Sequence, residues 1–204
     1  MRPTILVLAA VYAPGYLAGG PVRSISGLVE QLGDDFQWKI ITTNRDFRSS
    51  APYPDIPADS WVRRGNADVW YAAEGKDGAF DVIKLVRNTP HDVLYLNSFF
   101  SPKFSIAAVL ARRIGLLQRS PVLIAPRGEF SSGALRIKAP RKAAYLKLAR
   151  SIGALDDIWW HASSEHEQFD VIRRVGKESQ QRIRVAKNLS SSPVFVEPKP
   201  RGSG

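Results

Sequence analysis

The sequence predicts an α/β fold of the doubly wound type: a single domain with a parallel sheet and helices on both of its faces. Short, continuous apolar runs rich in branched residues are typical of strands that are buried on both faces of a parallel sheet. Segments with apolar residues at helical spacing alternate with these runs, and such alternation produces right-handed βαβ units. A length of 204 residues, with 44% hydrophobic and 24% charged residues, suits one globular domain with a sizeable core.

The predicted elements follow one another in a regular order along most of the chain. Six strands are predicted over residues 5–10, 38–42, 93–96, 122–125, 158–162 and 183–186, with two further short strands over 61–64 and 67–71. Helical spacing of apolar residues occurs over residues 22–32, 106–117 and 145–152, and more weakly over 78–87. From residue 188 the chain is rich in Ser, Pro and Gly and has no packing face. We therefore divide it into a domain over 1–187 and a linker or added tail over 188–204.

The residue types that are missing exclude several classes of protein. Without cysteine there is no disulfide framework, thiolate metal site or cysteine nucleophile. With only three histidines and no ligand spacing, we expect no metal and no bound cofactor in this domain. No apolar run reaches the roughly 18 residues that a membrane span needs, and the opening residues lack a signal-peptide cleavage pattern. We therefore expect a soluble, cytoplasmic protein.

Ligands of open α/β sheets bind beyond the carboxyl ends of the strands, where this chain carries polar or glycine-rich loops. Gly19 and Gly20 open a helix, so this loop either lets a phosphate approach the backbone or is a flexible loop with a helix cap. Arg127 follows a buried strand, and its guanidinium either binds a phosphate or carboxylate or pairs structurally with Glu129 or Glu165. Five such loops are expected to converge on one rim.

Two acids, Glu165 and Glu167, stand two residues apart at the predicted start of a helix. Acids at this position complement the helix dipole, and Ser163 or Ser164 can cap the helix, which explains at least one of the acids without a function. His161 lies on a predicted strand after two tryptophans, and we expect it to be a satisfied histidine of the core or rim.

Positive charge is concentrated in one segment. The chain has 29 Lys and Arg residues against 19 Asp and Glu, a net charge of +10. Residues 130–155 contain no acid and six cations: Arg136, Lys138, Arg141, Lys142, Lys147 and Arg150. At about 1 kcal/mol per cation near an anionic leaflet, this segment predicts reversible peripheral contact with an anionic membrane; an ordinary solvated helix face is the alternative. A basic nucleic-acid-binding module would carry similar charge, but no helix-turn-helix, RRM, KH or zinc signature is present.

Five motifs occur in a fixed order along the chain: Tyr12-x-Pro14 with Gly19-Gly20-x-x-Arg23-Ser24, Asn97-Ser98-Phe99-Phe100-Ser101, Pro126-Arg127-Gly128-Glu129, His161-Ala162-Ser163-Ser164-Glu165-His166-Glu167, and Val185-Ala186-Lys187-Asn188. Together they resemble the retaining glycosyltransferases of the GT-B fold, in the group-1 family typified by glycogen synthase, sucrose synthase and bacterial polysaccharide mannosyl- and glucosyltransferases. Each motif is weak alone, but the resemblance extends from residue 1 to about 188.

The resemblance implies a Rossmann-like, acceptor-binding N-terminal half of such an enzyme. Its partner would be a C-terminal donor-binding domain carrying a Glu-x7-Glu motif, which this sequence lacks, so we expect the chain alone to be inactive. The complete enzyme would be a hexosyltransferase that moves a sugar, with retention and without a metal, from a nucleotide-sugar donor to a glycan or lipid-linked acceptor. Cell-surface polysaccharide synthesis at the inner face of the membrane is the implied setting. A nucleic-acid-binding module or a non-catalytic acceptor-binding module is the alternative.

The resemblance also implies roles for particular residues. Arg127 falls where many members of the family carry a His near the reaction centre. Glu167 matches the family's second acid, and the spacing leaves open whether Glu165 or Glu167 faces the cleft. Because Arg stays charged at neutral pH, Arg127 is expected to stabilise developing negative charge rather than to act as a base. The residues expected to contact substrate or phosphate are Gly19, Gly20, Arg23, Asn97, Ser98, Gly128, Glu129 and Glu165.

Overall fold

The computed structural model describes residues 1–189 and confirms the predicted fold class. The strands are β1 Thr4–Leu8, β2 Gln37–Thr43, β3 Trp61–Arg64, β4 Ala67–Ala72, β5 Val93–Asn97, β6 Val122–Ala125, β7 Trp159–Ala162 and β8 Ile183–Val185. The helices are α1 Gly20–Gln31, α2 Ala79–Arg87, α3 Ala107–Arg113, α4 Ser132–Arg136, α5 Ala139–Ser151 and α6 Glu165–Val175. A π-helical turn over Pro102–Ile106 leads into α3, and a 3₁₀ turn over Lys177–Arg182 leads into β8.

The eight strands within residues 1–189 form one sheet in the order β3-β4-β2-β1-β5-β6-β7-β8. Within it only β3 runs antiparallel to its neighbour; the other pairs are parallel and are joined by helical or long connections. Because right-handed crossovers to the two sides of β1 place their helices on opposite faces, α1 covers one face while α2, α3, α5 and α6 cover the other. The carboxyl ends of the parallel strands therefore meet at one edge.

Helices α3, α4 and α5 differ from the prediction, and α5 already begins at Ala139, before the predicted repeat over 145–152. The helix predicted over 106–117 ends at Arg113, because Gly115 adopts a φ of +80° and turns the chain away. Ile114, which fits the helical spacing, is 70% exposed instead of buried. The short helix α4 was not predicted, since its five residues carry no apolar repeat.

An apolar groove of about 540 Å³ lies on the sheet face beside α1. Its wall includes Leu28, Trp38 and Leu123, and the ring side chains of Tyr95 and His161 also line it. Polar groups of β5 and β7 therefore stand in mainly apolar surroundings. Of the predicted tail, residues 188 and 189 are described, and residues 190–204 lie outside the described part of the chain.

Candidate functional site

Arg127 stands at the carboxyl edge of the sheet, two residues after the end of β6, with a left-handed φ of 55°. Its Nε donates to Asn97 Oδ1 over 2.8 Å, its Nη2 donates to Tyr95 Oη over 2.8 Å, and its Nη1 donates to Asn188 Oδ1. All three acceptors are uncharged. Among residues 1–189 no carboxylate forms an ion pair with Arg127, so pairing with Glu129 or Glu165 is not how this cation is held.

Glu167 fixes the backbone of the Arg127 loop from a neighbouring helix. It is 6% exposed, and its Oε1 accepts from the Gly128 N–H over 2.6 Å. Its Oε2 accepts from the N–H and the hydroxyl of Ser163 over 2.6 and 2.7 Å. Ser164 caps α6 by accepting from the Glu167 N–H, which confirms the predicted serine cap. Both oxygens of Glu167 are thus occupied by donors of the chain.

Glu129 holds the backbone of the loop after β5, as Glu167 holds the loop of Arg127. Its carboxylate accepts from the Ser98 hydroxyl over 2.9 Å and from the N–H groups of Phe99 and Phe100 over 2.5 and 3.1 Å. Ser98 has a backbone φ of 149°, which residues other than glycine rarely adopt. Strained backbone thus follows both β5 and β6, and a glutamate from another segment stabilises each loop.

The glycine loop reaches the same site from β1. Gly19 has a φ of +65°, and a Cβ added at Gly19 or Gly20 would meet no atom within 4 Å. Asn97 Nδ2 donates to the carbonyl of Pro21 over 3.1 Å and so joins the start of α1 to β5. Arg23 is exposed on α1 and, within residues 1–189, its side chain forms no hydrogen bond or ion pair.

Glu165, the other acid at the start of α6, is exposed, whereas Glu167 is buried. Within the described chain, the carboxylate of Glu165 has no partner. Of the two glutamates, Glu165 is therefore the one whose carboxylate is free to meet a ligand, while Glu167 is held inside the fold. Nothing in the structure tests whether any of the predicted residues binds substrate, and these roles stay predictions.

Tyr95 and His161 belong to the site, although both look like core residues in the sequence. Tyr95 Oη lies 2.8 Å from His161 Nδ1, and His161 Nε2 lies 2.9 Å from the carbonyl oxygen of Ala186. Burial raises the pKa of Tyr95 to about 12, against the opposing effect of Arg127. Burial also lowers the pKa of His161, with the hydrogen bond to Ala186 opposing it. Both side chains are therefore neutral near pH 7.

Asp46 organises a second part of the edge that the sequence did not single out. Its carboxylate accepts from the N–H groups of Tyr16, Leu17 and Phe47. Partial burial acts to raise the pKa of Asp46, but these hydrogen bonds outweigh it and lower the pKa below its usual value. The loops that follow β1 and β2 are thereby tied to each other.

Two further observations concern metals and membranes. Within residues 1–189, no group of three or more His, Asp or Glu side chains is placed to hold a metal ion. None of the helices in the same part of the chain has the length and apolar character needed to cross a bilayer.

No protein-family model and no curated protein matches the sequence. Solved structures do resemble it. HepE from Anabaena in complex with UDP and glucose superposes with a TM-score of 0.57 at 14% identity, covering 92% of this chain and 45% of that one. HepE in complex with UDP-glucose gives a TM-score of 0.53. An α,α-trehalose-phosphate synthase (UDP-forming) from Burkholderia vietnamiensis gives 0.45 at 14% identity, over 85% of this chain and 43% of that one.

The similarity to HepE shows the fold. This chain has the Rossmann-like architecture of one half of a GT-B protein, as the motifs implied. It spans less than half the length of the HepE chains that it matches.

Proposed function

We propose that this chain is the acceptor-binding half of a retaining GT-B hexosyltransferase, which transfers a sugar from a nucleotide-sugar donor. A glycan or a lipid-linked oligosaccharide of cell-surface polysaccharide synthesis is the proposed acceptor. A C-terminal donor-binding domain of the same enzyme would face the carboxyl edge of the sheet. The fold similarity to HepE, which was solved with UDP-glucose, supports the donor class, and the order of the five motifs supports the family.

The observation that carries the proposal is the environment of Arg127. A guanidinium has five N–H groups, and three of them bind the neutral oxygens of Tyr95, Asn97 and Asn188. One N–H on each terminal nitrogen remains, and the positive charge has no carboxylate partner within residues 1–189. A cation that is oriented by three hydrogen bonds and lacks an ion-pair partner suits a phosphate group or the negative charge that develops on it during sugar transfer.

The other residues that were predicted to contact substrate fall into groups, according to whether their side chains are already hydrogen-bonded within the chain. Glu129 and Glu167 are occupied by chain donors, so we propose that they act by holding the loops in place. Gly19, Gly20 and Gly128 allow a ligand to approach the backbone. Arg23 and Glu165 are exposed, which supports direct contact with acceptor hydroxyls or phosphate.

We also propose that the enzyme works at the inner face of an anionic membrane without entering it. Arg136, Lys138, Arg141, Lys147 and Arg150 are exposed on α4, α5 and the turn between them, and Ile137 is 66% exposed among them. Lys142, although part of the same run, is not free for this purpose. Its Nζ donates to the Ala134 carbonyl and lies 4.8 Å from the centre of the Phe100 ring.

The test is sugar transfer by the complete gene product that contains this chain, with nucleotide-sugars as donors. Arg127→Ala should lower kcat/KM by about 30- to 1000-fold, the range of one lost electrostatic donor of roughly 2–4 kcal/mol. Arg127→Lys should recover only part of this, because the fork of donors is lost. Arg63→Ala is the control, since Arg63 is exposed on the edge strand β3 and pairs with Asp68.

Three outcomes would contradict parts of the proposal. Absence of transfer with every donor, together with binding of the acceptor, would identify a non-catalytic acceptor-binding module. Full activity of Arg127→Ala would remove Arg127 from the site. Sugar transfer by the 204-residue chain alone would contradict its assignment as the acceptor half.

A further inference from the structure

A directional chain of hydrogen bonds runs from the Arg127 guanidinium into the fold. The Ala186 carbonyl can only accept, so His161 Nε2 carries the proton, and in a neutral ring Nδ1 then has the lone pair. The Tyr95 hydroxyl therefore donates to Nδ1 over 2.8 Å. As a result, the lone pairs of the Tyr95 oxygen face Arg127 Nη2, which donates to it over 2.8 Å.

The polar side-chain atoms of Tyr95 and His161 all have hydrogen-bond partners, although their surroundings are mainly apolar. Tyr95 is 4% exposed and His161 is 9% exposed, and both line the groove beside Trp38 and Leu123. Burying polar groups among apolar ones costs free energy unless they are hydrogen-bonded, and apolar side chains of the same size would avoid that cost. Packing alone therefore does not explain why a phenol and an imidazole occupy these two positions.

The hydrogen-bond chain also shows what orients Arg127. The segment after β8 holds the guanidinium twice, directly through Asn188 and indirectly from Ala186 through His161 and Tyr95. Asn97, which lies on β5 like Tyr95, accepts from Nε. The guanidinium is thus held directly by two segments that are far apart in the sequence, β5 and the residues after β8, and His161 of β7 connects them.

We propose that Tyr95 and His161 are positioning residues that fix the guanidinium of Arg127 with two N–H groups directed at an anion. The hydrogen-bond geometry carries the first part of this inference, and the anion rests on the proposed function of Arg127. Arg127 and Glu167 are the charged groups whose fields act on both rings. Because Tyr95 and His161 are both neutral near pH 7, the direction of the chain is preserved there.

The decisive experiment compares two variants of one residue in the 204-residue chain. In His161→Asn the side-chain oxygen occupies the place of Nδ1 and can still accept from Tyr95. In His161→Gln the amide nitrogen occupies the place of Nε2, so the bond to Ala186 persists and Tyr95 loses its acceptor. Tyr95→Phe removes the contact to Arg127 itself. His91→Gln is the matched control, because His91 is a half-buried histidine bonded to Thr89 and Ser120 far from this site.

Two measurements separate positioning from general stability. Nitrogen-15 NMR reports the His161 tautomer and the rate of rotation of the Arg127 guanidinium. A titration with inorganic pyrophosphate reports anion affinity. We expect Tyr95→Phe and His161→Gln to speed the rotation and to weaken pyrophosphate about 2- to 10-fold, the equivalent of one neutral hydrogen bond. His161→Asn and His91→Gln should leave both quantities near the wild-type values. If Tyr95→Phe does not fold, the two His161 variants carry the comparison.

The outcomes distinguish this inference from the function on which it rests. Unchanged rotation in Tyr95→Phe and His161→Gln, or equal effects of His161→Asn and His161→Gln, would overturn the positioning role. Faster rotation with unchanged pyrophosphate affinity would support the positioning of Arg127 and contradict its role as an anion-binding group.

Discussion

We expect removal of the Glu167 carboxylate to destabilise the domain more than removal of a typical side chain at the edge of the sheet. Charge-assisted hydrogen bonds contribute roughly 1.5–3 kcal/mol each, and Glu167 accepts three of them, from Gly128 N–H and from two groups of Ser163. Gly128 is exposed and Ser163 is half-buried, so water replaces part of the loss. We therefore expect Glu167→Ala to lower the free energy of unfolding by about 2–4 kcal/mol.

The amide variant makes this prediction sharper. The two backbone N–H groups bind different oxygens of the carboxylate, Gly128 at Oε1 and Ser163 at Oε2. A glutamine offers one oxygen and places an amide N–H against the other donor, so Glu167→Gln should lose about 1–3 kcal/mol in spite of its equal size.

Urea unfolding followed by tryptophan fluorescence is a suitable assay, since the chain has five tryptophans and Trp160 lies in the core. Glu165→Gln is the matched control. It removes the same charge two residues away from an exposed side chain without a partner in the described chain, and should change the free energy of unfolding by less than about 0.5 kcal/mol. Wild-type stability of Glu167→Gln, or equal losses in Glu167→Gln and Glu165→Gln, would refute the argument.

Three further predictions concern the edge of the sheet and its surface. Gly19→Ala should cost about 1–3 kcal/mol because of the left-handed φ at Gly19, whereas Gly20→Ala should leave the melting temperature unchanged and lower only turnover; equal melting temperatures would contradict this. Because the folded pKa of Asp46 lies below its unfolded value, its contribution to stability exists above about pH 4 and is lost as the pH falls further; Asp46→Asn should lack this part of the acid-unfolding curve, and superimposable curves would contradict it. The exposed cations Arg141, Lys147 and Arg150 should be exchanged together for Gln. This variant should keep its fold but lose the salt-sensitive sedimentation with anionic vesicles. Lys142→Gln should instead lower the melting temperature, because Lys142 contacts the Ala134 carbonyl and the Phe100 ring. Binding of the wild-type chain to neutral vesicles would contradict the membrane proposal.

The fold could be predicted because its signals are local. Runs such as residues 93–96 and 122–125 carry branched and apolar residues on both faces, which is typical of a strand buried in a parallel sheet. Convergence of the loops follows from parallel strands and needs no further information. The end of α3 was missed because Gly115 acts through its backbone conformation, whereas the apolar spacing continues past it.

The partners within the site could not be predicted, because they depend on contacts between distant segments. Tyr95 and His161 are 66 residues apart. Each lies in an apolar strand, where the sequence alone indicates an ordinary residue of the core or rim. A polar-tipped side chain close to the carboxyl end of a buried strand was the available signal. The same limit applies to Glu165 and Glu167, since their spacing gives no indication of which one turns inward.

The distribution of acids around Arg127 explains why its guanidinium has no ion-pair partner among residues 1–189. Glu129 and Glu167 stand two and forty residues after it, and either could have neutralised the guanidinium. Instead, each binds two backbone N–H groups and a hydroxyl, Glu129 after β5 and Glu167 after β6 and β7. Their negative charge thus stabilises strained loops, and the guanidinium is oriented by neutral oxygens alone. Carboxylates thus bind the backbone, and two amide oxygens and a phenol oxygen orient the cation, which has no ion-pair partner among residues 1–189. That combination favours an anionic ligand over a structural ion pair.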